Sequence, residues 1–304
     1  MSDSSICRSV DVFSRRAVLG AVLATPIAPA LAGTDTSHRF TAPKGARELM
    51  VDVPGARLWC WDSGGSGTPL LLLHPATGSA AIWEYQYDAF VRAGYRVAAF
   101  SRRGHYRTEF AEGADVGFAI DDIDAVVNAL GFGRFFLLGS AAGGFQVPDY
   151  ALSHPDRLRG IVIACSQGGA QDPVFREAIS RVLPKGFSEM PASFRELGPS
   201  YRATDPTGMA RWEALEQSAR TGGRVRQRAR NVLDWPSLSR IKLPTLFVAG
   251  GADLYMPPAL TRIYASHIAG SRVVNLPECG HSAYWEQPEA FNKAVIGFLK
   301  SARR

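Results

Sequence analysis

Leu137-Leu138-Gly139-Ser140-Ala141-Ala142-Gly143-Gly144 joins the apolar run Phe135 to Leu138 to a segment of helical spacing, Gly143 to Ser153. A tight turn from strand to helix needs small residues two places before and two places after its tip, where the chain doubles back on itself. Centred on Ala141, those places hold Gly139 and Gly143, which fit. Centred on Ser140 they hold Leu138 and Ala142, and Leu138 would collide while leaving its strand. The tip is therefore Ala141, and a methyl group cannot attack anything.

Outward from this turn the chain alternates apolar runs with amphipathic segments. Arg47 to Val53 and Arg57 to Asp62 read as an antiparallel pair around Pro54-Gly55. Pro69 to His74 is a continuous apolar run, as a strand buried on both faces requires. A helix over Ala80 to Arg92, a strand over Tyr95 to Phe100, a helix over Phe118 to Leu130 and a strand over Leu158 to Ala164 follow the same alternation. The rhythm breaks over 170–238, where no buried-strand run occurs, and resumes with a strand at Leu243 to Ala249, another over Arg272 to Leu276, and a last helix, Ala290 to Ala302. Such alternation predicts an α/β fold with a mostly parallel central sheet flanked by helices. The break reads as a helical cap inserted over the carboxyl ends of the strands, where such sheets place their sites.

The first 32 residues read as a leader. Ser14-Arg15-Arg16-Ala17-Val18-Leu19 is a twin-arginine pattern, followed by an apolar run and the small-residue site Ala30-Leu31-Ala32. The expected organisation is a signal peptide over 1–32, a linker over 33–46, a core over 47–169 and 239–304, and the cap over 170–238. The expected partners are the twin-arginine export machinery and a small-molecule substrate, and the expected location is the periplasm or the medium after cleavage near Ala32. The apolar run is too short for a stable span, so no membrane span is expected in the mature protein.

Composition narrows the classes further. The 304 residues are 46% hydrophobic and 20% charged, enough for one sizeable core. The net charge is +6, and removal of the leader's three basic and two acidic residues leaves +5. No basic stripe is interleaved with aromatics, so nucleic-acid binding is not expected. Cys60, Cys165 and Cys279 lie far apart with no metal-ligand spacing and read as buried thiols.

From about residue 47 to the end the chain resembles the α/β-hydrolase superfamily with a cap, in a layout similar to meta-cleavage-product hydrolases, enol-lactonases and related esterases. The resemblance makes Gly139 to Gly143 the nucleophile elbow, with Ala141 where serine, cysteine or aspartate usually stands. It nominates Asp253, in Gly250-Gly251-Ala252-Asp253 after the post-cap strand, as the acid. It nominates His281, in Leu276 to Glu286 after the last strand, as the base. The oxyanion hole would use the backbone N–H groups of Ala76, in His74-Pro75-Ala76-Thr77-Gly78, and of Ala142. Ser101-Arg102-Arg103-Gly104 stands where the family has a supporting Asp-x-Arg-Gly turn. Ser140, Trp83, Tyr106 and Trp285 are candidate pocket residues, with aromatic core as the competing role. Asp121, Asp122 and Asp124 read as a helix start and its solvated face, and the arginines over 220–230 as solvated. No cofactor or metal is expected, since the Gly-rich turn is spent on the elbow.

Ala141 leaves the chemistry open. If it replaces a serine by design, the parent is a hydrolase of a small ester, lactone or activated C–C bond, with His281 and Asp253 serving the nucleophile. If it is native, the His281–Asp253 dyad can still act as a general base, on water or on a substrate proton as in lyase, cyclase and cofactor-free oxygenase relatives. A third reading is a ligand-binding protein that has lost the reaction. The presence of both His281 and Asp253 favours an enzyme over a binder.

Overall fold

The computed structural model describes residues 40–302, apart from 112 and 222–224. The leader, its twin-arginine pattern, the cleavage site and most of the linker lie outside the described residues.

Apolar runs set the centre of the sheet and polar-flanked ones its edge. Strands β1 (Arg47–Val53) and β2 (Ala56–Asp62) form a hairpin with Val53 opposite Ala56 across Pro54-Gly55. Next come β3 (Thr68–Leu73), helix α1 (Glu84–Arg92) and β4 (Tyr95–Phe100). The segment expected as one helix from Ala80 opens as a 3-10 turn, Ala80–Trp83, because the Ser79 side chain takes the Ala81 N–H and tightens the first turn. A two-residue strand β5 (Glu109–Phe110), too short to leave a sequence signal, pairs with β2.

Helix α2 (Ala119–Ala129), β6 (Phe135–Ser140), α3 (Gln146–Ser153) and β7 (Leu158–Ala164) complete the first half. Between β7 and β8 lie α4 (Pro173–Val182), α5 (Ala192–Glu196), α6 (Pro199–Thr204), α7 (Pro206–Ala219) and α8 (Trp235–Leu238). Asp172, Asp205 and Asp234 each accept an N–H in the first turn of α4, α7 and α8, with proline at a first-turn position where no N–H is needed. Strand β8 (Thr245–Gly250), α9 (Pro258–Ser266), β9 (Arg272–Leu276), α10 (Ala283–Glu286) and α11 (Pro288–Ser301) end the chain.

The strands lie in the order β1-β2-β4-β3-β6-β7-β8-β9. Pairing is antiparallel at β1–β2 and β2–β4 and parallel from β4 to β9. Alternation sorts the buried side chains between two faces. Leu71, Leu73 and Leu137 pack with α2, α3 and α9, whereas Leu70, Leu72 and Leu138 pack with α1 and α11. Trp212 and Leu215 of α7 join the second cluster, so part of the 170–238 stretch shares the core of the sheet.

One expectation is corrected here. Asp122 is not on a solvated face: it is buried and takes two hydrogen bonds from Arg103, at 2.9 and 2.8 Å. Arg103 also reaches the carbonyls of Pro54 and Asp115, tying the β1–β2 turn to α2. Asp121 is exposed, as a solvated face requires, and pairs there with Arg230 at 2.7 Å.

Candidate active site

The turn after β6 has the shape its glycines require. Ala141 sits at φ +50°, in the left-handed region that residues with a Cβ avoid. A Cβ on Gly139 would lie 2.5 Å from the Gly143 carbonyl oxygen, and one on Gly143 would run into the carbonyl of Leu73. The tip is held by two bonds: the Ala141 N–H donates to the Ala164 carbonyl at 3.0 Å, and the Ser166 hydroxyl donates to the Ala141 carbonyl. Ser140 points into the interior, its Oγ buried without a hydrogen-bond partner.

The turn after β8 carries Asp253, whose Oδ1 accepts the backbone N–H groups of Tyr255 and Met256 at 2.8 and 3.1 Å. Both its oxygens also face Nδ1 of His281, at 2.9 and 2.8 Å. Nδ1–H therefore donates, and the lone pair of the neutral ring lies on Nε2. Burial pulls the imidazole toward the neutral form, but the charge and hydrogen bond of Asp253 outweigh it, so the His281 pKa stands above its ordinary value. The Tyr255 ring lies over the imidazole with centroids 4.3 Å apart.

Strand β3 delivers the loop His74 to Gly78 to the same end of the sheet. His74 accepts the Arg102 N–H at Nε2, at 3.0 Å, and donates Nδ1–H to the Pro75 carbonyl at 2.7 Å. This tautomer is neutral, and burial, followed by the charge of Arg102, holds the His74 pKa well below its ordinary value. The Gly78 N–H closes the turn on the Pro75 carbonyl. Among the described residues no acceptor occupies the N–H of Ala76 or of Ala142. Ala142 stands immediately before the 3-10 turn Gly143–Phe145 that leads into α3, and free N–H groups at such a start favour negative charge.

Residues 68–288 match the family model described as the alpha/beta hydrolase fold. The chain belongs to the α/β-hydrolase fold family. It is similar to the 2-hydroxy-6-oxononadienedioate/2-hydroxy-6-oxononatrienedioate hydrolase of Klebsiella pneumoniae, with 25% identity over 88% of this chain and 96% of that one. Among solved structures it is similar to a thermophilic esterase from Thermogutta terrifontis, with TM-score 0.69 and 24% identity over 85% of this chain and all of that one. The enol-lactonase of Burkholderia xenovorans LB400 matches with TM-score 0.65 and 23% identity over 83% of this chain and all of that one.

Within this α/β-hydrolase, the elbow, Asp253 and His281 each follow the carboxyl end of a parallel strand, β6, β8 and β9, and Asp253 and His281 are in contact, while the candidate pocket aromatics separate. Trp83 and Trp285 lie in the core: Trp83 packs on Tyr284 at 5.0 Å, and Trp285 on Tyr85 at 4.7 Å. Tyr106 is half-buried and donates its hydroxyl to the Phe40 carbonyl. Among the described residues, the hydroxyl that touches the elbow and the thiols after β7 and on the histidine loop are engaged or held protonated. The Ser166 hydroxyl is engaged with Ala141, and burial raises the Cys165 thiol and pushes that of Cys279 up to about 12.

Sequence reasoning missed three groups that crowd His281. The Glu196 carbonyl accepts the N–H of His281 and of Ser282, at 2.7 and 3.0 Å. The Glu286 carboxylate accepts the N–H of Gly280, beside the histidine, and of Gly198, after α5. Tyr255 supplies the ring that lies tilted over the imidazole. Glu286 falls within the quoted histidine loop, whereas nothing in the spacing of Glu196 points to His281, 85 residues on.

Proposed function

We propose that the protein hydrolyses a small ester, lactone or activated C–C bond with water as the nucleophile and His281–Asp253 as the general base. The observation that carries this reading is the pairing of an alanine at the strained elbow tip with an intact, doubly bonded imidazole and carboxylate. An acyl-enzyme at residue 141 has no atom to form on. His281 Nε2 would take a proton from water as its oxygen attacks the substrate carbonyl. The oxyanion would rest on the N–H groups of Ala76 and Ala142. Collapse would expel the alkoxide or stabilised carbanion, which takes the proton back from the imidazolium. The named substrate of the Klebsiella relative, a dienedioate, supports the activated C–C bond as one member of this class. The same dyad supports a second reading, proton abstraction from the substrate itself in lyase, cyclase or cofactor-free oxygenase chemistry, because Ala141 removes the need for a nucleophile in both.

The experiment is turnover of a p-nitrophenyl ester and lactone panel by this chain, His281→Ala and Ala141→Ser, with fluorophosphonate labelling in parallel. Direct water attack gives His281-dependent turnover in this chain with no covalent label at residue 141. Labelling together with fast turnover only in Ala141→Ser identifies a serine-hydrolase scaffold lacking its nucleophile. Ligand binding without His281-dependent turnover in either form overturns the hydrolytic reading.

The twin-arginine pattern supports action outside the cytoplasm after cleavage near Ala32. N-terminal sequencing of the protein recovered from a periplasmic fraction tests this, and a chain still beginning at Met1 overturns it.

A further inference from the structure

The His281 imidazole is served by more carboxyl groups than a His–Asp dyad needs. Asp253 holds Nδ1 from the loop after β8, and Glu286 faces the histidine loop from α10. A third, Glu196, arrives from α5, and its fit to the site is independent of the other two. Its residue is 5% exposed, and Oε2 is fully buried with no hydrogen-bond partner. Its charge acts on both His281 and Asp253. Its own carbonyl is the acceptor for the His281 and Ser282 N–H groups, so α5 and the histidine loop are joined at the backbone where the carboxyl enters. Gly280 packs so tightly here that an added Cβ would lie 2.8 Å from the Glu196 carbonyl oxygen. No set of three or more His, Cys, Asp or Glu among the described residues is placed to hold a metal ion, so the extra carboxyl is not a metal ligand of that kind.

The groups around Glu196 form a chain. Arg195 donates Nη1–H to the Tyr255 hydroxyl at 2.8 Å, and Tyr255, whose ring covers His281, feels the charge of the Glu196 carboxyl. Tyr284 is the remaining titratable neighbour, and the Cys165 thiol lies on the Asp253 side. Burial pushes the Glu196 carboxyl above its ordinary range, while the positive charges of a protonated His281 and of Arg195 pull it toward the charged form, so its ionisation is coupled to that of the imidazole.

We infer that Glu196 is a positioning residue acting through His281: a second carboxyl, brought by α5, that stabilises the imidazolium formed when His281 takes a proton. A buried carboxylate near an imidazole in a water-poor site lowers the energy of the protonated ring, which is the state a general base reaches in the transition state. Because α5 is bonded to the histidine loop through its backbone, the carboxyl and the base are held as one unit. This inference rests on His281 being the base of the site.

The test is an NMR titration of the His281 ring carbon in 13C-histidine-labelled protein, with His281→Ala identifying its signal among the six histidines. Glu196→Gln keeps the shape and the backbone contacts but removes the charge, and the His281 midpoint falls by about one pH unit. Glu196→Asp, which keeps the charge, stays closer to the parent. Tyr255→Phe keeps the ring over the imidazole but loses the hydroxyl, and the midpoint moves the same way by a smaller amount. The double variant Glu196→Gln, Tyr255→Phe moves no further than Glu196→Gln alone, because the hydroxyl acts only through the carboxylate. A midpoint unchanged in Glu196→Gln, or, should that variant not fold, unchanged in Tyr255→Phe, overturns the inference. The titration reads the imidazole directly, so absence of turnover in the ester panel leaves it standing, and a flat titration leaves the ester panel standing.

Discussion

Asp253 meets His281 with both carboxylate oxygens, 2.9 and 2.8 Å from Nδ1, while one of those oxygens also takes two backbone N–H groups. The carboxylate is thus held by its own turn, and the imidazole is oriented with Nε2 free to act. Asp253→Asn would keep the shape but present an N–H to Nδ1, forcing the wrong tautomer, and any His281-dependent turnover should fall by about 10²–10⁴. The pH profile carries a second sign. A general base works only when neutral, so turnover rises with pH through the His281 pKa, which Asp253 holds above its ordinary value. In Asp253→Asn that rise moves to lower pH while its plateau drops, and kcat/KM against pH for the two forms checks both.

Glu286 makes stability depend on pH. Burial pushes its carboxyl up to about 7 from an ordinary 4.5, against the Gly280, Gly198 and Ser282 N–H groups that favour the charged form. The folded protein therefore binds this proton more tightly than the unfolded chain. The stability it contributes is full below about pH 4.5 and is lost as pH rises through about 7. Glu286→Gln abolishes that dependence. Urea unfolding at pH 4.5 and pH 8 should show the parent losing about 3 kcal/mol more than the variant over the interval.

Arg103 and Asp122 form a pair in which neither side chain is more than 4% exposed. Removing one partner leaves a buried charge, so Arg103→Ala should destabilise by about 3–5 kcal/mol. Arg103→Met with Asp122→Leu removes both charges and should recover much of the loss. Chemical denaturation of the parent, the single and the double variant measures the difference.

The elbow predicts two opposite glycine effects. Ala141→Gly relieves a left-handed backbone at φ +50° and should raise stability by up to about 1 kcal/mol, less than the strain itself because glycine also loosens the unfolded chain. Gly143→Ala drives a methyl into the Leu73 carbonyl and should cost about 1–3 kcal/mol or more, with loss of His281-dependent turnover as the Ala142 N–H shifts. Thermal unfolding of the two variants beside the parent separates them.

Trp83 is fully buried against Tyr284. Trp83→Ala should therefore cost about 3–5 kcal/mol through the cavity it leaves. A pocket-lining role would instead change ligand affinity with little effect on the unfolding midpoint, and urea titration with and without ligand distinguishes the two.

Local chemistry was enough for the fold and for much of the candidate site. Continuous apolar runs such as Leu70 to Leu73 and Phe135 to Leu138 fit only strands covered on both faces, and the spacing of Gly139 and Gly143 places Ala141 at a tight tip. Asp253 and His281 are nominated by the family resemblance of the loops that carry them, and the structure joins the two by hydrogen bonds. Relations between distant segments were not legible. The burial of Asp122 is decided by Arg103 arriving from another turn, and the core position of Trp83 by Tyr284, about 200 residues away. Glu196 is one polar residue in a short helix until α5 packs on the histidine loop. Sequence alone determined that this chain builds an α/β sheet with an alanine at the tip of a tight strand-to-helix turn, because backbone sterics and apolar periodicity are local. Only tertiary structure decided which charges surround the base, because burial and electrostatic coupling depend on what lies close in space.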